Sequence, residues 1–219
     1  MVAQVGKHPV RNDTSTATSA KPSAAPRPTT AAIMGELRSQ VHAVAGDRRP
    51  EPWVLRQGDA IMVAGSASTV RGRMVAAAVD DDHNPGPVLR YAAAEALRLG
   101  VPMRVVHVWT EDASPLPSGL RRHRHDRMCD ADQLLADVLY ECLPVEDADA
   151  AERQILHDPD PVRALVALSA EAAELVVGVR GDGTREGVLG ATVRRLVGNT
   201  ACPLAVLPEP EGYATMAVW

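Results

Sequence analysis

LVVGVRGDGTREGVLGATVRRLVGNTACPLAVLP, from Leu175 to Pro208, carries the pattern that decides the fold. An apolar run enters a glycine-rich loop, a helical pattern leaves it, and a second apolar run follows. Runs of this kind, with no alternation of polar and apolar positions, belong to strands buried on both faces. A strand, a helix and a further strand in that order form the crossover unit of a parallel sheet.

The same order repeats upstream. MVAAAVD (Met74–Asp80) is a continuous apolar run ending in acid, and MRVVHVW (Met103–Trp109) is a second one. Between them, Val88, Leu89, Ala92, Ala93, Ala96 and Leu97 share a helical stripe that Pro87 opens and Gly100 closes. A polar loop (TEDASPLPSGLRRHRHDR) leads to a predicted helix from about 130 to 142, carrying Leu134, Leu135, Val138 and Leu139. A weak strand at 153–156, a helix at 162–170, a strand at 175–178, a helix ending near 197 and a strand at 204–207 complete the series. Alternation throughout predicts a doubly wound α/β fold with right-handed crossovers and helices on both faces. Ligands of such sheets sit beyond the carboxyl ends of the strands, where strand order reverses. Asp80 and the glycine loop after Gly178 both fall at carboxyl ends and are expected to face one crevice.

Composition agrees with this architecture. Hydrophobic residues make up 46% of the 219, yet aromatics only 3% with no Phe, so the core is built from Ala, Val and Leu. A net charge of −5 disfavours sequence-independent binding to nucleic acid. No apolar run approaches the ~20 residues of a membrane span. Cys129, Cys142 and Cys202 show no CxxC spacing, and no basic start followed by an apolar core opens the chain. Both features point to a reducing cytoplasm.

Residues 1–30, rich in Ala, Thr, Ser and Pro, are expected to be disordered, because they bury too little apolar surface to offset ordering entropy. Residues 31–71 form an extension. Ile33, Leu37, Val41 and Val44 there have helical spacing, whereas the apolar runs WVL and AIMVA within RRPEPWVLRQGDAIMVAGSAS (Arg48–Ser68) receive no assignment. Residues 72–210 form the main domain, and 211–219 a tail.

The glycine loop fits neither common phosphate motif. GDGTREG gives G-x-G-x-x-x-G rather than the dinucleotide fingerprint, and a Walker loop needs a lysine, whereas Lys occurs only at Lys7 and Lys21. Backbone N–H groups at a helix start hold phosphate without lysine, and the same glycines serve equally as a plain turn. AVDDDHN (Ala78–Asn84) resembles the acidic pocket of receiver domains, but no Lys follows the last strand. Helix capping by Asp82 or Asn84 explains one of these residues. His123, His125 and Cys129 do not complete a four-ligand metal site, so their basic segment reads as a solvated loop. No catalytic constellation emerges: G-x-S-x-G is absent, Ser66, Ser68 and Ser169 have no evident His partner, His107 reads as a core histidine, and Cys202 as core or turn.

Taken in order, VAAAVDDDHNPGPVLRYAAAEAL, MRVVHVW, HDPDPVRALVALSAEAAELVVGVRG and TACPLAVLP resemble the universal stress protein family across Met74–Pro208. The resemblance implies a five-stranded parallel sheet in the order 3-2-1-4-5 and a homodimer through the last strand. It also implies ATP or AMP bound through G-x2-G-x9-G-[ST], with Mg accompanying the nucleotide, and no dedicated turnover. Carried onto this chain, Gly178 and Gly181 supply the first pair and Gly190 the third glycine. Asp80, flanked by Ala78 and Val79, is the acid expected at the nucleoside; Val108 lines the base pocket and Val177 precedes the first glycine. Two departures stand out: the spacer DGTREGVL holds eight residues, and the hydroxyl position is Ala191, with Thr192 one place later. Asp182 adds negative charge near the cradle, opposed by Arg180 and Arg185. A dimeric interaction module that has lost nucleotide binding is the alternative.

Overall fold

The computed structural model describes residues 27–45, 54–67, 72–80, 85–109, 124–180 and 187–209. In chain order its elements are α1 (Thr30–Ala45), β1 (Val54–Gln57), β2 (Ala60–Val63), β3 (Val75–Ala78), α2 (Gly86–Leu99), β4 (Met103–Trp109), α3 (Arg124–Cys142), α4 (Val145–Ala150), β5 (Glu152–His157), α5 (Pro161–Ser169), β6 (Glu174–Gly178), α6 (Ala191–Leu196) and β7 (Leu204–Leu207).

They form one sheet in the order β1-β2-β7-β6-β3-β4-β5. From β3 onward the strands are parallel, and counted from β3 their order is the expected 3-2-1-4-5. The sheet differs from expectation in size and type. It has seven strands and is mixed, because β1 and β2 continue it antiparallel beyond β7. From Val54 and Ala60 onward, the unassigned runs WVL and AIMVA therefore contribute to the two arms of a hairpin. Gln57 pairs with Ala60 across a two-residue turn, Gly58–Asp59, whose Gly58 has φ +58°. Only glycine enters that region without strain, and Gly-Asp between apolar runs is a recognised hairpin signal.

Side-chain alternation divides the core into two layers. Ile61, Val63, Ala76, Val106, Leu175, Val177, Leu204 and Val206 face α1, α5 and α6. On the other side Met62, Val75, Ala77, Val105, Val176 and Ala205 meet α2 and α3. Strands buried on both faces explain why the sequence shows continuous apolar runs. The described parts of the extension are not appended loosely: Ile33, Leu37, Ile61 and Val63 are fully buried, and Val41 and Met62 nearly so. Each such side chain contributes roughly 1.5–3 kcal/mol on burial.

Most predicted boundaries hold within a residue or two, apart from the start of α1, three residues before Ile33, and two further exceptions. α3 starts at Arg124, earlier than read, and α4 was not read at all. α2 starts behind Pro85 with no side-chain cap, and it ends as expected on Gly100 at φ +67°, whose N–H reaches the Ala96 and Leu97 carbonyls. Asp82 and Asn84, the predicted caps, lie outside the described residues, as do residues 1–26, the loop from Gly181 to Glu186, and the tail. The edge of β7 on which the expected homodimer depends is occupied by β2 of the same chain, through the pairs Ile61–Val206, Met62–Ala205 and Val63–Leu204.

Candidate nucleotide-binding crevice

Strand order reverses at β3. Its sequence successor β4 lies on one side and β6 on the other, so the crossovers leaving β3 and β6 run apart and open a crevice at their carboxyl ends. The register sets Ala77 beside Val176, which brings Ala78, Val79 and Asp80 to the same end of the sheet as Val177 and Gly178.

Alternation decides which of these residues share a face. Ala78 and Val108 are half-buried and pack, with Leu156 and Val188, on the layer that also contains Val177. Together they make an apolar floor on one side of the crevice. The Val79 side chain belongs to the opposite layer, so of the sequence-predicted residues it faces away from that floor. Val177 is buried in the core beneath it.

Asp80 is exposed, and one carboxylate oxygen stands 3.9 Å from Nδ1 of His107. The same Nδ1 is 3.2 Å from the Val79 carbonyl, so it carries the proton and donates to that oxygen. His107 is thus more than a core histidine: it ties the end of β3 to β4 beside Asp80.

On the other bank, the loop leaving β6 is closed at its neck. The Val179 N–H donates to Leu207 O (2.8 Å), and Gly190 N–H donates to Val179 O (2.9 Å). Gly178 leaves room for little else, since a Cβ there would lie 3.3 Å from Arg180 O. Two arginines hold the returning limb. Arg180 Nη2 donates to Gly187 O (2.6 Å), and Arg194 donates to Leu189 O through Nε (3.0 Å) and Nη2 (2.8 Å). Gly187 adopts φ +87° with Arg194 against it, where a Cβ would meet Nη2 at 2.5 Å. Neither Arg194 nor Gly187 was singled out from the sequence, for their roles depend on where the loop returns.

Gly190 is the N-cap of α6 and supplies no side-chain acceptor. The first N–H groups of a helix have no acceptor within the helix, so those following Gly190 are donors for an external group. Ala191 is exposed and Thr192 half-buried at that turn. The remaining candidates are structural. Ser169 Oγ donates to Val166 O and accepts from Ala201 N–H, and burial pushes the Cys202 thiol up to about 12. A groove of about 420 Å³ between α5 and α6 contains Arg163 and Arg195, but Asp158 and Asp160 already neutralise them. Among the described residues no group of three His, Cys, Asp or Glu side chains could hold a metal, and no helix is long and apolar enough to cross a membrane.

A doubly wound α/β domain with a glycine loop at its switch point defines the class. The chain belongs to the universal stress protein family, whose sequence pattern matches residues 73–208. Its fold is similar to solved members. A protein from Lactobacillus plantarum is 16% identical and superposes with TM-score 0.47 over 62% of this chain and 98% of its own. One from Archaeoglobus fulgidus, solved in complex with dAMP, is 22% identical, with TM-score 0.44 over 64% and 99%. Another family member, in complex with cAMP, is 17% identical, with TM-score 0.46 over 62% and 96%. The comparison with curated protein sequences gave no match.

Proposed function

We propose that this chain binds an adenine nucleotide, ATP or AMP, in the crevice between β3 and β6, and acts as a nucleotide-responsive module of the stress response in the cytoplasm. The observation that carries the reading is the closed neck Val179–Gly190, which delivers the uncapped start of α6 to the crevice. Phosphate is held there by backbone N–H groups, with Arg180 and Arg194 adding positive charge at the loop limb. Ala78, Val108, Leu156 and Val188 offer the base an apolar floor, and Asp80 accepts hydrogen bonds from the ribose. Any Mg²⁺ arrives with the phosphates, as its preference for water and phosphate oxygens allows. No residue of the crevice is assigned a role in turnover.

The residues fit the nucleotide except at two points, the first being the spacer DGTREGVL between Gly181 and Gly190, which is one residue short. Ala191 lacks the hydroxyl expected to meet phosphate, and losing one such bond costs about 1–3 kcal/mol, ten- to a hundredfold in affinity. That departure favours the second reading, an interaction module that has lost nucleotide binding. Isothermal titration of the purified chain with ATP separates the two readings. Saturable heat supports binding; absence of heat at millimolar nucleotide rejects it in favour of the module.

A further inference from the structure

We infer that α1 and the β1–β2 hairpin, with the residues that follow it to Ala67, act as a built-in edge cover, occupying in cis the sheet edge at which the bare domain would pair with a second copy of this chain. The matched family domain begins at residue 73, so its own last strand, β7, would be an edge strand. β7 is LAVL, buried along its whole length and on both faces, with Leu204 and Val206 in one core layer and Ala205 and Leu207 in the other. An uncharged apolar edge with unpaired N–H and C=O groups is a template for another strand.

The extension covers that edge from Leu204 to Val206 and continues past its start. Beyond the three paired positions of β2, Ser66 N–H donates to Thr200 O (2.7 Å) and Ala67 N–H to Ala201 O (3.1 Å). Gly65 is shaped to this approach, since a Cβ there would fall 2.3 Å from Ala201 O. At the far end of α1, Val44 lies against Gly198, whose φ is +76° and where a Cβ would meet Val44 Cγ1 at 2.7 Å. The replacement edge, β1, is a poor template. It is four residues long, with Leu55, Arg56 and Gln57 exposed, and Arg56 Nε is engaged by Gly58 O. A buried apolar edge is thereby exchanged for a short, charged one, which is how sheets avoid edge-to-edge association.

Sedimentation velocity combined with hydrogen exchange tests this on the full chain. The wild type is expected to sediment as one 23.3 kDa species at every loading concentration, with the Leu204–Leu207 amides protected. Two variants release the cover without touching the matched domain: Leu37→Asp removes the buried anchor of α1, and Gly58→Pro breaks the hairpin turn. Each is expected to expose β7 to exchange at low concentration and to double in mass as concentration rises. The inference falls if a variant exposes β7 yet keeps the monomer mass. It also falls if both variants lose the whole domain along with the hairpin, or if the wild type is itself a dimer.

Discussion

Glu174, the first residue of β6, and Glu95, on the inward face of α2, bring two carboxyl groups into one buried corner of the sheet. Arg98 neutralises Glu95 with a two-pronged contact, one bond of which, Nε to Oε2, measures 2.7 Å. Glu174 has no such partner: its Oε1 is buried without a hydrogen bond. Tyr91, whose hydroxyl reaches the Met62 sulfur at 3.4 Å, is a neighbour of Glu174 in the same corner. Burial first, and the charge of Glu95 second, push the Glu174 carboxyl up to about 7 from 4.5.

The sign of the pH dependence follows. Between 4.5 and about 7 the folded chain holds a proton on Glu174 that the unfolded chain releases. Stability from this group is therefore complete below 4.5 and falls as pH rises to about 7. With about 1.4 kcal/mol for each tenfold change in proton affinity, the loss is on the order of 3 kcal/mol. Glu174→Gln, neutral at every pH, is expected to raise the melting temperature above pH 7 and to leave it unchanged near pH 4.5. Thermal melts across that range check it; a parallel pH dependence for both proteins would contradict it.

Acid acts on the opposite side of the domain with the opposite sign. Arg195 bonds Asp160 through Nη1 (3.0 Å) and Nη2 (2.5 Å), bracing α5 against α6, and Arg163 bonds Asp158 in the same manner. Those arginine bonds hold both carboxyls below 3.8, so their contribution is present above that value and is lost as pH falls through the lowered one. Asp160 also caps α5, accepting from Val162 N–H at 3.1 Å. Asp160→Ala is accordingly expected to destabilise more than Arg195→Ala, measured by denaturant unfolding at neutral pH.

The crevice makes a paired prediction. Asp80→Ala is expected to weaken nucleotide binding by about ten- to a hundredfold, the value of a hydrogen bond to a charged group, with the melting temperature unchanged because Asp80 is exposed. Ala191→Ser, with one residue inserted between Gly181 and Gly190, is expected to strengthen binding by a similar factor. Calorimetric titration of both variants against wild type reads each effect.

The extension is predicted to be held on the domain by its buried side chains and by its fit to Gly198. Leu37 is fully buried, so Leu37→Ala is expected to cost about 2–5 kcal/mol. Gly198→Ala, forced into φ +76°, adds about 1–2 kcal/mol of strain before its clash with Val44 is counted. Hydrogen exchange of the Leu204–Leu207 amides is the check, with each substitution expected to ease the release of the extension from β7 by its loss.

Much of the crevice was legible because it depends on strand ends. Once 74–80 and 175–178 are read as parallel strands, Asp80 and Gly178 must lie at carboxyl ends, and a sheet order that reverses at β3 places them together. His107 was read as a core histidine, but its partner, the Val79 carbonyl, stayed hidden because a histidine inside a strand gives no sign of its neighbour across the ladder. The partners of Arg180 and Arg194 escaped notice for a related reason, since they are carbonyls of a loop that returns on itself.

The sequence by itself determined the alternating α/β order, the five parallel strands and the glycine loop at the switch point. These follow from local periodicity and from the burial of every strand on both faces. Only the tertiary structure decided what becomes of residues 30–67. WVL and AIMVA are too short for periodicity to specify a partner, and edge pairing is a contact between segments over a hundred residues apart. There the apolar edge of β7 supplies what the local sequence lacks, a place for Ile61, Met62 and Val63 to be buried.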